Sequence, residues 1–336
     1  MNLANKYRPH KFEDMMEQSV IVDMIRSICK NSNLDNRNFL FIGPAGCGKT
    51  TIARIMADTL NEGEGDPIEI DAASHGSIDS VRDIVEQARK YPVGSNYKVF
   101  IIDEVHSLSN AAWQVLLKTL EEGPAKSIFV LCTTDPEKIP KTILSRVQVF
   151  HLSKISLSGI DKRLHHVLDS EIKEGREIKY EDDAVNFIAK LANGGMRDAL
   201  TLTDKALSYS NDINLENISK ALDLPNYDDY FDLLQACASK DKGKITEIVD
   251  KVYNSGANFI KWFEQFHSFV MNVVKYIFMQ DIHHTLIPSY YKDRISNYTT
   301  AHSVVCLKLS NRLLEMNHEL KYTQYYQEVA LTYLCR

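Results

Sequence analysis

Gly43-Pro-Ala-Gly-Cys-Gly-Lys-Thr50 follows the apolar run Phe39-Leu-Phe-Ile42 and precedes the helical pattern Thr51-Ile-Ala-Arg-Ile-Met-Ala-Asp58. This is the phosphate-loop pattern G-x-x-x-x-G-K-T in the strand–loop–helix setting that it requires. Glycines at 43, 46 and 48 let the backbone curl so that several N–H groups face one phosphate chain, and the dipole of the following helix adds to them. Lys49 supplies a point charge for the β- and γ-phosphates, and Thr50 offers its hydroxyl to Mg²⁺. The expected nucleotide contacts are therefore Gly43, Pro44, Ala45, Gly46, Cys47, Gly48, Lys49, Thr50 and Thr51, with ATP and Mg²⁺ as ligands. The plain alternative, an incidental glycine-rich turn, explains neither the flanking elements nor the next motif.

That motif is Val99-Phe-Ile-Ile-Asp-Glu104. Four apolar residues ending in an acid predict a buried strand whose carboxylate, Asp103, emerges at the sheet edge and can hold the Mg²⁺ shell. Glu104 beside it can orient or deprotonate a water for attack on the γ-phosphate. A loop that only grips nucleotide needs the Asp and not the Glu, so the pair predicts hydrolysis. Taken alone, the same residues also fit a strand ending in two solvated acids.

Further outward, short apolar runs alternate with helical patterns. Ile68–Asp71, Ile128–Cys132 and Val147–Leu152 read as strands, while Ile78–Lys90 and Ala111–Glu122 read as helices, the latter ended by Gly123-Pro124. Such alternation predicts an α/β domain with a parallel sheet covered on both faces. The opening segment, Lys6-Tyr-Arg-Pro9 and Lys11-Phe-Glu-Asp14, reads as an arm rather than an element. Beyond residue 153 strand signals give way to helical ones. The aromatics of Phe259–Phe269 and Tyr322–Tyr333 recur at helical spacing and so predict packing rather than base stacking. The expected organisation is 1–153, 154–222 and 223–336.

Composition narrows the class. The 336 residues carry a net charge of −6, which leaves no overall basic footprint for nucleic acid. Six cysteines are scattered without a C-x-x-C pair, which excludes the usual zinc spacings and points to reduced thiols, with Cys47 expected to be alkylation-sensitive. No apolar run is long enough for a membrane span, and the first residues lack a signal-peptide core, so the expectation is a cytoplasmic protein without a membrane partner.

The motif set resembles the AAA+ ATPases and, more narrowly, the tau/gamma subunit of the bacterial DNA polymerase III clamp loader. The residues that carry the resemblance run in order: Lys6-Tyr-Arg-Pro9, the phosphate loop, Ile70-Asp-Ala-Ala-Ser74, Ile102-Asp-Glu-Val-His106, Leu116-Leu-Lys-Thr-Leu-Glu-Glu122, Thr133-Thr-Asp-Pro136, Ile143-Leu-Ser-Arg146 and Gly195-Met-Arg-Asp-Ala-Leu200. The resemblance implies an AAA+ P-loop domain, a small helical lid and an all-helical collar. It places Tyr7, Arg8 and Pro9 near the adenine, with a solvated arm as the alternative. Thr134, with Thr133 as fallback, resembles the sensor-1 residue, although threonine also simply ends strands. Arg146 sits where the family has an arginine finger serving a neighbouring subunit's site; a surface salt bridge is the plain reading. Arg197 resembles sensor 2, against an intrahelical pair with Asp198. Arg82 and Lys118, with Ser77, fall where the family faces primer-template DNA, although lone cations on helices are usually solvated, and His75 stands where a basic residue is expected.

The implied partners are a sliding clamp, primer-template DNA and further subunits of a five-subunit assembly, with the clamp contact expected near residues 105–113. Three departures stand out. The zinc module that follows the phosphate-loop helix in the family is replaced by Asn61-Glu-Gly-Glu-Gly-Asp66, and the finger motif reads Ser-Arg-Val. The chain also stops after the third expected domain. A reduced version, such as a phage would encode, is the expectation. The competing readings are an AAA+ DNA-remodelling motor of branch-migration type and a non-hydrolysing scaffold subunit. Intact Lys49, Asp103 and Glu104 argue against the second.

Overall fold

The computed structural model describes residues 2–30, 37–123 and 126–336. Pro124, expected to end a helix, lies outside the described residues. The described chain divides into two compact units, one of residues 1–178 with 188–204 and the other of residues 179–187 with 205–336.

The first unit is built on a five-stranded sheet ordered β2-β3-β4-β1-β5, with β1 Asn38–Ile42, β2 Ile68–Asp71, β3 Lys98–Asp103, β4 Ser127–Thr133 and β5 Gln148–His151. Every pairing is parallel. Apolar residues fill both faces because successive side chains alternate between them. Phe39 and Phe41 of β1, Ile101 of β3 and Val130 of β4 point to the face covered by the helix Lys49–Leu60. Leu40, Ile42, Phe100, Ile102 and Leu131 point to the opposite face, against the helices Ile78–Ala88 and Asn110–Glu122. The β3-β4-β1 order sets the carboxyl ends of three strands side by side, and ligands bind there in open parallel sheets.

One element departs from the sequence reading. The opening segment is more ordered than an arm: Leu3–Lys6 forms a helical turn, Phe12–Asp14 a 3₁₀ turn, and Leu3 and Phe12 are buried. Burial of those two apolar side chains anchors a backbone whose local signals are polar and proline-broken. Glu17 and Gln18, ahead of the helix Ser19–Lys30, both have positive φ, 58° and 56°. That conformation costs a non-glycine residue roughly 1–2 kcal/mol. Their side chains hold the chain leaving the sheet: Gln18 Nε2 donates to the Ser153 carbonyl at 2.7 Å, and the Ser156 N–H donates to Glu17 Oε2 at 3.0 Å. Ser156 caps the long helix Leu157–Lys173.

The second unit is helical apart from a two-residue parallel pair, Lys179–Tyr180 with Asp212–Ile213. Its core is aromatic. Tyr230, Phe231, Phe263 and Phe266 are fully buried, and the Trp262 ring meets Tyr230 edge-on with centroids 4.7 Å apart. The first aromatic run thus packs as its periodicity predicts. In the second, Tyr326 and Tyr333 pack against the core beside the buried Ala330 and Leu334, while Tyr322 and Tyr325 stay exposed. Among the described residues no helix is long and apolar enough to cross a membrane.

Candidate functional site

The loop after β1 takes the shape its glycines permit. Gly46 and Gly48 have φ of 69° and 106°, and a Cβ on Gly46 would come within 3.0 Å of Gly195. Gly48 directly precedes the helix Lys49–Leu60, so the loop's N–H groups and the helix N-terminus share one concavity, a ready anion cradle. Lys49 is buried and its ammonium donates to the carbonyls of Gly43 and Pro44, both at 2.9 Å. The Gly43 N–H donates to the Thr133 carbonyl at 3.2 Å, which ties the loop to the end of β4.

Asp103 ends β3 beside this loop. The Thr50 hydroxyl donates to Asp103 Oδ2 at 2.7 Å, across 53 residues of sequence. Hard oxygen donors at that spacing suit Mg²⁺, so Thr50 and Asp103 fit that ion. Glu104 follows in the left-handed region, φ 45°. Its Oε2 accepts the Thr134 hydroxyl at 2.9 Å and lies 3.3 Å from His106 Nδ1.

These groups line a cleft of ≈300 Å³. Its polar end holds Lys49, Thr50, Asp103 and Glu104. Its other end is lined by Tyr7, Pro9, Met15, Met16, Ile155 and Leu200, an apolar wall suited to a purine base. The segment Gly195–Arg197 closes one side, with the Met196 N–H donating to the Gly46 carbonyl at 3.1 Å. Cations gather there. Burial, followed by the nearby charges of Arg54 and Arg197, lowers the Arg8 pKa, a crowding of like charge that an anionic ligand would relieve. Among the described residues the Arg197 guanidinium makes no ion pair, so the intrahelical pair with Asp198 is not formed.

The Tyr7 end of the cleft hangs on Glu171, a carboxylate in the helix Leu157–Lys173 that is only 1% exposed. It accepts from Tyr7 Oη at 2.7 Å, from Lys6 Nζ at 2.5 Å and from Arg176 at 2.8 Å. Burial pushes the Glu171 pKa up, but the three donors outweigh it and hold it at about 2. Arg163, on the same helix, donates to the Tyr7 carbonyl at 3.1 Å and lines the cleft.

The cleft thus gathers Tyr7, Arg8, Pro9, Ala45, Gly46, Cys47, Gly48, Lys49, Thr50, Thr51, Asp103, Glu104 and Arg197. Gly43 and Pro44 stand behind it as acceptors for Lys49, and Thr134 reaches it through Glu104. Four expected residues lie apart from it. Arg146 is bound to Glu121 at 2.5 Å and to the Thr142 carbonyl at 2.6 Å. Ser77 caps the helix Ile78–Ala88, while Arg82 and Lys118 are exposed beside Asp79 and Glu122. One expectation fails: Cys47 is 1% exposed and burial raises its pKa, so its thiol is shielded rather than alkylation-sensitive. The sequence reading missed Met15, Met16, Arg163 and Glu171. None carries a local signal, since each is an ordinary residue of its segment until the sheet and helices place it.

The fold and site define a P-loop nucleotide-binding protein of the AAA+ type. A solved structure of the Thermotoga maritima RuvB Holliday junction branch migration motor shares this fold, with a TM-score of 0.53 and 20% identity, over 68% of this chain and 78% of that one. Two family models match: "DNA polymerase III, delta subunit" over residues 60–156, and "DNA polymerase III clamp loader subunit, ATPase lid domain" over residues 159–212. The chain is 37% identical to the DNA polymerase III subunit gamma of Buchnera aphidicola subsp. Schizaphis graminum, over 76% of this chain and 74% of that protein. It is 40% identical to the Bacillus subtilis DNA polymerase III subunit tau over 63% of this chain. The chain belongs to the DNA polymerase III tau/gamma family. It spans 40% of the length of the Bacillus subtilis relative.

Proposed function

We propose that this chain is an ATPase subunit of a DNA sliding-clamp loader. The observation that carries the proposal is the convergence of Lys49, Thr50, Asp103 and Glu104 at one end of a cleft closed by Gly195–Arg197, in a chain of this family. Lys49, now satisfied by loop carbonyls, would turn to the β- and γ-phosphates. Thr50 and Asp103 would hold Mg²⁺, which when bound neutralises phosphate charge. Glu104 would accept a proton from the attacking water as the new P–O bond forms and the bond to the β–γ bridging oxygen breaks, leaving ADP and phosphate. The apolar wall and Tyr7 would take the adenine.

Arg146 would act in the site of a neighbouring subunit, which makes hydrolysis depend on assembly. That it does not line its own cleft, and its pairing with Glu121, agree with a group that is not used in cis. Residues 1–153, 154–222 and 223–336 would serve as ATPase, lid and collar domains of a five-subunit ring in the cytoplasm. ATP binding would open the clamp. Primer-template DNA, held through phosphates by Arg82, Lys118 and Ser77, would trigger hydrolysis and clamp release.

The test is steady-state ATPase of the assembled protein with and without primer-template DNA and clamp, for wild type and Arg146→Ala. Stimulation by DNA plus clamp is expected, with a loss of about 10³-fold in the variant while ATP still binds. Activity indifferent to clamp and to Arg146 would transfer the reading to a DNA-remodelling motor. Absence of hydrolysis in every assembly would leave a scaffold.

A further inference from the structure

His106 belongs to the Asp-Glu-Val-His motif but has no role in the reaction as described above. Its ring sits in the 3₁₀ turn Val105–Ser107 that follows Glu104, and the side chain is largely buried, 17% exposed. One ring nitrogen, Nδ1, meets two oxygens: Thr133 Oγ1 at 3.0 Å and Glu104 Oε2 at 3.3 Å. The hydrogen bond is to Thr133, while Glu104 lies at ion-pair distance. The Thr133 hydroxyl lies 3.2 Å from the Asp135 carbonyl and accepts the Asp135 N–H at 3.0 Å, so its single hydrogen is engaged by that carbonyl. An ionised carboxylate only accepts. Nδ1 must therefore carry the hydrogen and donate.

We infer that His106 is a positioning residue for Glu104: its Nδ1, hydrogen-bonded through its N–H to Thr133 Oγ1, lies 3.3 Å from Oε2, the oxygen that also accepts the Thr134 hydroxyl, so that Oε1 is the oxygen presented to the attacking water. The backbone makes such a brace useful. Glu104 sits at a left-handed junction between β3 and a short turn and belongs to neither element. The brace comes instead from two neighbours, the turn that carries His106 and the end of β4 that carries Thr133 and Thr134. A general base works only within hydrogen-bond reach of the proton it takes, so a carboxylate free to rotate loses rate without losing nucleotide affinity.

The inference rests on the hydrolytic reading, and the experiment separates the two. The full chain, in the assembly that shows activity, is compared as wild type, Glu104→Gln, His106→Leu and His106→Asn. The measurements are kcat and KM for ATP, binding of a fluorescent ATP analogue and the melting temperature. Asparagine places an N–H donor near the Nδ1 position, whereas leucine fills space without one. His106→Leu is expected to lower kcat about tenfold or more, with KM and analogue affinity within about twofold of wild type, and His106→Asn to recover most of the loss. Equal kcat in His106→Leu and wild type, with Glu104→Gln impaired, would overturn the brace and leave the hydrolytic reading standing. Equal losses in both His106 variants, together with lowered melting temperatures, would also overturn it and assign His106 to packing alone. A wild type as inactive as Glu104→Gln would overturn both.

Discussion

The two units of this molecule solve different problems with their hydrophobic cores. In the first, the apolar faces of a parallel sheet hold polar groups at strand ends, and almost every informative residue is one whose polarity a core alone would not need: Lys49, Asp103, Glu104, Glu171. In the second, rings pack on rings from Tyr227 to Phe269. The difference teaches that motif reading and periodicity reading measure separate things. A motif is legible where geometry for a ligand constrains residue type. A packed aromatic helix is legible only as a helix, because many sequences fill the same volume.

The two tryptophans allow the comparison to be tested, since Trp113 lies in the first unit and Trp262 in the second. Phe263 is fully buried among Phe259, Trp262 and Phe266. Phe263→Ala is expected to cost about 3–5 kcal/mol, read as a lower urea midpoint for the Trp262 signal in a Trp113→Phe background, with the Trp113 signal followed in a Trp262→Phe background. A shift confined to the Trp262 signal would show two energetically separate units. Equal shifts in both signals would show one cooperative body.

Glu171 probes the opposite regime, where burial serves charge. Its three charged or hydroxyl donors make Glu171→Gln expected to cost about 1–3 kcal/mol at neutral pH, seen by Trp113, and to weaken nucleotide-analogue binding because Lys6 and Tyr7 lose their anchor. The pH dependence follows from the sign of the shift. Its folded pKa of about 2 lies below the ordinary 4.5, so its contribution is complete above pH 4.5 and is lost as the pH falls from 4.5 towards 2. The wild-type melting temperature should therefore fall more steeply across that window than the variant's. Parallel curves would show that the carboxylate is not the acid-sensitive element.

The smallest effect is expected at Ser77, whose hydroxyl accepts the Ser80 N–H at 3.2 Å. Ser77→Ala should cost about 1 kcal/mol through the lost cap. Unchanged stability combined with weaker primer-template binding would assign this serine to DNA instead. Lost stability with unchanged DNA binding would leave it a structural residue and sharpen the contrast between capping and recognition.

The phosphate loop could be read from the chain because its requirements are local: glycine conformations, consecutive N–H groups and a lysine lie within eight residues, and no distant partner is needed to define them. The strand ending in Asp103-Glu104 was legible for the same reason, as was the alternation that implies a parallel sheet. The opening segment misled because Leu3 and Phe12 are ordered by partners far along the chain. Cys47 misled because a loop residue's exposure depends on what covers the loop, here Gly43 and the packed face beneath it. Which cations face the cleft, which oxygen of Glu104 is braced, and why Glu171 is charged yet buried all came from the fold. Thr134 meets Glu104 across 30 residues and Tyr7 meets Glu171 across 164. Periodicity assigns a residue to a face, but only the packed sheet and helices assign the neighbour on that face, and the chemistry of a carboxylate is set by its neighbours.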